Sequence, residues 1–293
     1  MTTRDMLLGV LVTAIWGFNF SVIKMGLSAM DPFMLAGCRF LLCAVPLVFF
    51  VARPDTAFKY VIAYGLLFGV GLWGMVALGI YFGASAGVAS LVLQISVFIT
   101  ILFGRILFKE TITRGQKIGA AIALVGLALI ISITDGSVTL GGLLLVLLGA
   151  LCWSLSNSLL KWSGAKRIFP FIVWSSLFSP LPLFVLSYWV YGDNQVDYLL
   201  QSFDFKSVFS ILFQVYPTTL FGYWVWNSLL RRYPVSSVAP LSLLVPLFGL
   251  LGSSIFYGET IGTTKAVACV LIVCGLAINL LPKAFPFFSR KPI

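Results

Sequence analysis

Apolar residues in this chain come in runs of about 20, each closed by a short polar cluster. A helix rising ~1.5 Å per residue needs about that length to cross the hydrocarbon core of a bilayer. The run at 86–110, AGVASLVLQISVFITILFGRILFKE, holds one amide, Gln94, and ends basic then acidic. Its shape returns at 235–259 as VSSVAPLSLLVPLFGLLGSSIFYGE. In that alignment Phe108-Lys109-Glu110 falls on Tyr257-Gly258-Glu259, and Gly126-Leu127-Ala128 on Gly275-Leu276-Ala277. Other runs extend from near the N-terminus to about 27, then over 32–52, 59–81, 113–134, 139–161, 168–191, 207–230 and 262–282. The pattern predicts an all-α integral membrane protein with ten transmembrane helices.

A second echo divides the chain. Trp16 to Lys24 (WGFNFSVIK) matches Trp153 to Lys161 (WSLSNSLLK), with Trp and Lys eight apart in both. Five spans per half predict two repeats, 1–135 and 136–293. An odd number of spans inverts the second copy, and carriers built this way bind substrate near mid-membrane between the repeats.

Composition agrees with the pattern: 60% of the 293 residues are hydrophobic and 10% charged, with a mean hydropathy of +1.06. A soluble domain has about a quarter charged residues. The net charge of +10 would suit nucleic acid on a single soluble face, but the basic residues lie in clusters between spans. With the N-terminus in the cytoplasm, 15 of the 19 Lys and Arg fall on the cytoplasmic side, leaving Lys24, Arg39, Lys206 and Lys265. That bias satisfies the positive-inside rule and places both termini inside. The first run, with Trp16 and Asn19, is longer than a signal-peptide core and reads as a retained span.

Polar groups inside lipid need a protein partner, water or a ligand. Trp16 and Asn19 share a helix face, and Trp153, Ser156 and Asn157 form their echo. Gln94 has Phe98 one turn on; its counterpart is Leu243, beside Ser242 and flanked by Pro240 and Pro246. Proline removes a backbone hydrogen bond, so Pro240 and Pro246 are candidate hinges. Arg39 lies inside the second span with no Asp or Glu in any span core, which suggests a carboxylate-bearing substrate as its anion. Trp73 and Tyr223 complete the expected substrate-binding set. For each the alternative is structural: helix–helix hydrogen bonding for the amides, packing or interface anchoring for the aromatics.

The runs WGFNFSVIK, LAGCRF, FFVARP, AGVASLVLQ and VAPLSLLVP resemble EamA repeats of the drug/metabolite transporter superfamily. The resemblance covers essentially the whole chain. It implies two inverted five-helix repeats and efflux across the bacterial inner membrane, with cysteine and O-acetylserine as the implied cargo. Aromatic or other amino acids, or cationic drugs such as paraquat, are the alternatives. The implied partners are a small molecule and the bilayer, and the chain would act as monomer or homodimer.

Several classes are disfavoured. There is no histidine, and no HExxH, GxSxG or buried carboxylate pair, which argues against an intramembrane enzyme. The five cysteines lie in apolar runs without a CxxC pair, so neither metal, cofactor nor disulfide is expected. Gly69 to Gly74 fits GxGxxG but sits in a span with no strand before it, and Asn19-Phe20-Ser21 is a buried sequon. No filter-like loop suggests a channel. A non-transporting scaffold or sensor is the rival of another class. With Glu110 and Glu259 at span ends, facilitated or exchange-type efflux is expected over carboxylate-driven proton antiport.

Overall fold

The computed structural model describes residues 1–109, 111–132, 136, 138–192, 204–233 and 238–280, and every regular element among them is helical. Grouped as spans, the described residues form ten helical elements. They are α1 (Thr3–Gly26), α2 (Pro32–Phe49), α3 (Phe58–Tyr81), α4 (Ala86–Phe108) and α5 (Arg114–Ile131), then α6 (Leu140–Ser163) and α7 (Ile168–Tyr191). The last three are α8 (Phe205–Phe213 continuing to Arg232), α9 (Ala239–Leu243 and Leu244–Tyr257) and α10 (Thr263–Leu280). The first eight are long and apolar enough to cross a membrane, and α9 and α10 add shorter apolar stretches. The expected ends lie within a few residues of these.

Local chemistry sets the starts. Asp31 caps α2 by accepting from the amides of Phe33 and Met34, with Pro32 in the first turn, where its missing N–H costs nothing. Thr113 and Gln116 form a capping box at α5. Asp204 caps α8: the Ser207 amide and hydroxyl donate to its carboxylate and hold it below the usual carboxylate range.

Packing repeats once per half. Helix α1 lies against α8 and α9, and its counterpart α6 lies against α3 and α4. Three further pairs join a helix to its own counterpart: α2 with α7, α4 with α9, and α5 with α10. A two-fold axis exchanging the halves requires this pattern. The last pair is close because its contact positions lack side chains: a Cβ on Gly126 would sit 3.0 Å from the Ala268 carbonyl oxygen.

The helices are interrupted in ways the apolar pattern does not announce. Leu66–Gly74 in α3 and Gln214–Phe221 in α8, at equivalent places, are π-helical. In α8 the widened turn accommodates Pro217, which an α-helix interior would not. Helix α4 breaks at Gln94–Ile95, and α9 opens as a 3-10 turn through Leu243, the residue equivalent to Gln94. Both candidate hinge prolines fall in this irregular opening of α9. Pro240 lies in the first turn of the 3-10 opening of α9. Pro246 lies in the first turn of the α-helical part, three residues into Leu244–Tyr257.

Helix ends differ between the copies. Both α4 and α9 stop on a left-handed residue, Lys109 (φ 57°) and Gly258 (φ 63°). Only glycine adopts that conformation without steric cost. Lys109→Gly is expected to stabilise the protein by about 1 kcal/mol, read as a higher thermal midpoint in detergent. An unchanged or lower midpoint would contradict it.

Candidate functional site

A cavity of about 300 Å³ opens where the two halves meet, lined from α1, α3, α4, α6, α7, α8 and α9. Seven of its eighteen lining residues are aromatic: Trp16, Phe20, Tyr64, Trp73, Trp153, Tyr223 and Trp226. Gln94, Asn157, Thr218, Asn227 and Ser242 add polar groups, and none of the lining residues carries a formal charge. Some of these rings pack on one another, Trp16 lying 5.4 Å from Tyr223 and 5.2 Å from Trp226 between centroids. Aromatic faces with a few amides suit a small, partly apolar solute or one bearing an ammonium group. A second hollow of about 530 Å³ adjoins it between α7 and α8, sharing Ile168, Ile172, Tyr223 and Asn227 and reaching Arg167.

The broken helices shape the polar end. Pro246 cannot donate to the Ser242 carbonyl four residues back, and the Gln94 side chain reaches that carbonyl instead (Nε2 to O, 3.5 Å). This long bond joins α4 to α9 across the repeat interface, where both helices are irregular.

Of the residues read from sequence, Trp16, Trp73, Gln94, Trp153, Asn157, Tyr223 and Ser242 line this cavity together. Asn19, Arg39, Phe98 and Ser156 do not. Asn19 is fully buried. Its Oδ1 accepts from the Thr218 hydroxyl (3.1 Å), while Trp16 Nε1 donates to the Thr218 carbonyl (3.0 Å). Asn19 thus ties α1 to the π-helical stretch of α8, and its Nδ2 has no partner among the described residues. Ser156 is turned inward and donates to the Cys152 carbonyl (2.8 Å). Phe98 packs against the core, and Leu93 and Val97 hold the lining positions on α4.

Arg39 is buried at 1% exposure. Its Nε and Nη2 donate to Thr219 Oγ1 (3.2 and 2.9 Å), and Nη1 approaches Gln214 Oε1 (3.5 Å). The guanidinium lies 4.1 Å from the Trp73 ring centroid. The expected role as direct receiver of a substrate carboxylate meets a geometric obstacle, because neutral acceptors and an aromatic face already surround the group. It lies against Trp73 and is not among the lining residues.

Sequence reading passed over Tyr64, Thr218, Trp226 and Asn227. Asn227 could have been found by the rule that flagged Asn19, an amide inside a span. Thr218, in the π-helical stretch of α8, carries no such signal.

Among the described residues, ten apolar helices in two equivalent halves, with a neutral cavity between them, make a multi-pass membrane protein suited to a small solute. The chain belongs to the EamA-like transporter family, whose model matches residues 3–132 and 140–281. It is 37% identical over 286 residues to a protein of Salmonella typhimurium named as a probable amino-acid metabolite efflux pump, covering 96% of each chain. A protein of Escherichia coli with the same name is 36% identical over the same share. An uncharacterized transporter of Bacillus subtilis is 26% identical over 97% of this chain and 98% of its own. A solved crystal structure covers 99% of this chain and 100% of its own with a TM-score of 0.61 at 18% identity, a likeness of fold.

Proposed function

We propose that this protein exports small amino acids or related metabolites from the bacterial cytoplasm by alternating access, with cysteine and O-acetylserine as first candidates. The reading is carried by the neutral cavity of amides and aromatics at the repeat interface, in a chain similar over nearly its full length to probable amino-acid metabolite efflux pumps. The protein sits in the inner membrane with both termini cytoplasmic, as the distribution of Lys and Arg favours. The halves divide at 135/136, and each rocks as a five-helix unit around cargo held between them. Gln94, Trp16, Trp73, Trp153, Asn157, Tyr223 and Ser242 contact the cargo.

A second cargo class has its own support. Seven aromatic faces and no lining carboxylate suit planar aromatic amino acids, or cations held by π faces alone.

Counterflow in proteoliposomes loaded with unlabelled cysteine, kept reduced, or O-acetylserine tests the proposal, with paraquat and an aromatic amino acid as competitors. Gln94→Ala is expected to lower counterflow about tenfold, the loss of one or two hydrogen bonds to cargo. Ser156→Ala and Phe98→Leu, changed outside the cavity, should stay near the parent rate. Equal rates in all three variants would remove Gln94 from the site. Counterflow of the aromatic competitor alone would replace the cargo, and none with any candidate would favour a non-transporting role.

A further inference from the structure

Of the Trp–Lys spacing shared by α1 and α6 the cavity uses the tryptophans and not the lysines, and it does not use the Phe-Lys-Glu and Tyr-Gly-Glu ends of α4 and α9. The fold brings them together in pairs. Where α1 and α9 end side by side, Lys24 Nζ lies 3.3 Å from Glu259 Oε1 and 4.3 Å from the centroid of the Tyr257 ring. The Tyr257 hydroxyl donates to the Ser21 carbonyl of α1 (2.9 Å). Where α6 and α4 end, Lys161 Nζ lies 4.3 Å from the centroid of the Phe108 ring. Lys24 and Lys161 are equivalent positions, as are Tyr257 and Phe108; Glu110, the equivalent of Glu259, lies outside the described residues.

The two joints are built alike but closed to different degrees. Six of the eight residues from Gly17 to Lys24 are buried, against three of the eight from Ser154 to Lys161. Along α1 and α9 the backbones nearly touch, because Gly17 faces Val245 and Gly249, and Gly252 faces Ser21 and Phe18. Around α6, Asn157 and Lys161 are exposed, and Trp153, Asn157 and Leu160 open onto the cavity. Asp5 marks the end of the bundle opposite Lys24: it accepts from the Tyr233 hydroxyl at the close of α8 (2.6 Å). Toward that end run the cavity's residues at the close of α6 and α8 and at the start of α7 and α9.

We infer that Lys24, Tyr257 and Glu259 form the gate that seals the Lys24 end of the cavity in this conformation. Lys161 and Phe108 are its sister at the other end, drawn shut when the first opens. The inference rests on alternating access. Because equivalent residues serve both ends, exchanging the conformations of the two halves carries the seal from one pair to the other.

The test is accessibility, which needs no cargo. A cysteine replacing Phe20 in the cavity wall, with the five native cysteines changed to alanine, is labelled by a membrane-impermeant thiol reagent from the side on which Lys24 lies. Lys24→Glu and Glu259→Lys should each raise the labelling rate by up to about fivefold, the scale of a partly exposed ion pair. The charge-swapped double variant should return it toward the parent. Tyr257→Phe, which removes only the hydroxyl to Ser21, should give a smaller rise and keeps the test available should a charge variant fail to reach the membrane. Unchanged labelling in all variants, or a double variant as open as the singles, would overturn the gate. Absence of counterflow with a normal labelling pattern would count against the cargo alone.

Discussion

Arg39→Ala is expected to destabilise the folded protein by about 3–5 kcal/mol, the range for emptying a large buried site and breaking its polar network. The guanidinium is enclosed, and its removal takes a partner from several neighbours at once. Gln214 Oε1 loses its approach from Nη1, while Gln214 Nε2 keeps the Ser210 hydroxyl (3.1 Å). Thr219 Oγ1 loses two donors but still donates to the Gln214 carbonyl (2.8 Å). The Trp73 ring loses the cation against its face. Arg39→Met separates packing from charge. It refills most of the volume and should recover more than half of the loss, since an apolar isostere often matches a buried charged group. Arg39→Lys should lie between, because a point charge cannot reproduce the fork that holds Thr219. Thermal unfolding in detergent gives the ranking. A midpoint for Arg39→Ala equal to the parent's would mean that the site relaxes or hydrates, and the clamp between α2 and α8 would be lost as an idea.

Gly17→Val is the second large effect. A Cβ on Gly17 would fall 2.6 Å from the Val245 carbonyl oxygen and 2.8 Å from the Gly249 amide nitrogen, both backbone atoms that no rotamer change can move. Helices α1 and α9 must separate, at a cost of about 1–3 kcal/mol or more. Counterflow should fall severalfold, and cysteine labelling from the Lys24 side should rise, because the same contact holds that end shut. Gly17→Ala should shift both readouts the same way by less. Gly141→Ala serves as the control: nothing lies within 4 Å of its added carbon, and it sits in the first turn of α6, where alanine is accommodated. Equal behaviour of Gly17→Val and Gly141→Ala would show that the close approach is dispensable.

Much of the architecture was legible because lipid leaves few choices. A run of about 20 apolar residues must be a helix when no water is present to satisfy its backbone. The spacing from Trp16 to Lys24, repeated from Trp153 to Lys161, was enough to pair the halves. The wall of the cavity was partly legible too, since Gln94 and Asn157 stand out as amides in apolar runs. The failures share a cause. Asn19 and Ser156 were assigned by helical periodicity, which says that residues share a face but not which neighbour the face meets. Arg39 was read as lacking a partner because no carboxylate was available, yet Thr219, Gln214 and Trp73 satisfy it without one. Those partners lie on or beside the π-helical stretches of α8 and α3, and apolar periodicity does not announce a π turn.

Duplication gave both halves one plan, but their residues have since diverged at the joints. Gly17, Gly249 and Gly252 correspond to Ser154, Thr100 and Phe103. The first joint can close backbone against backbone. The second meets through a side chain, with the Ser154 hydroxyl 2.8 Å from the Ser96 carbonyl oxygen. Under the proposed alternating access, two forms related by exchanging the halves would therefore be unequal in energy, and the empty protein is expected to rest facing one side of the membrane, with an energetic cost to face the other.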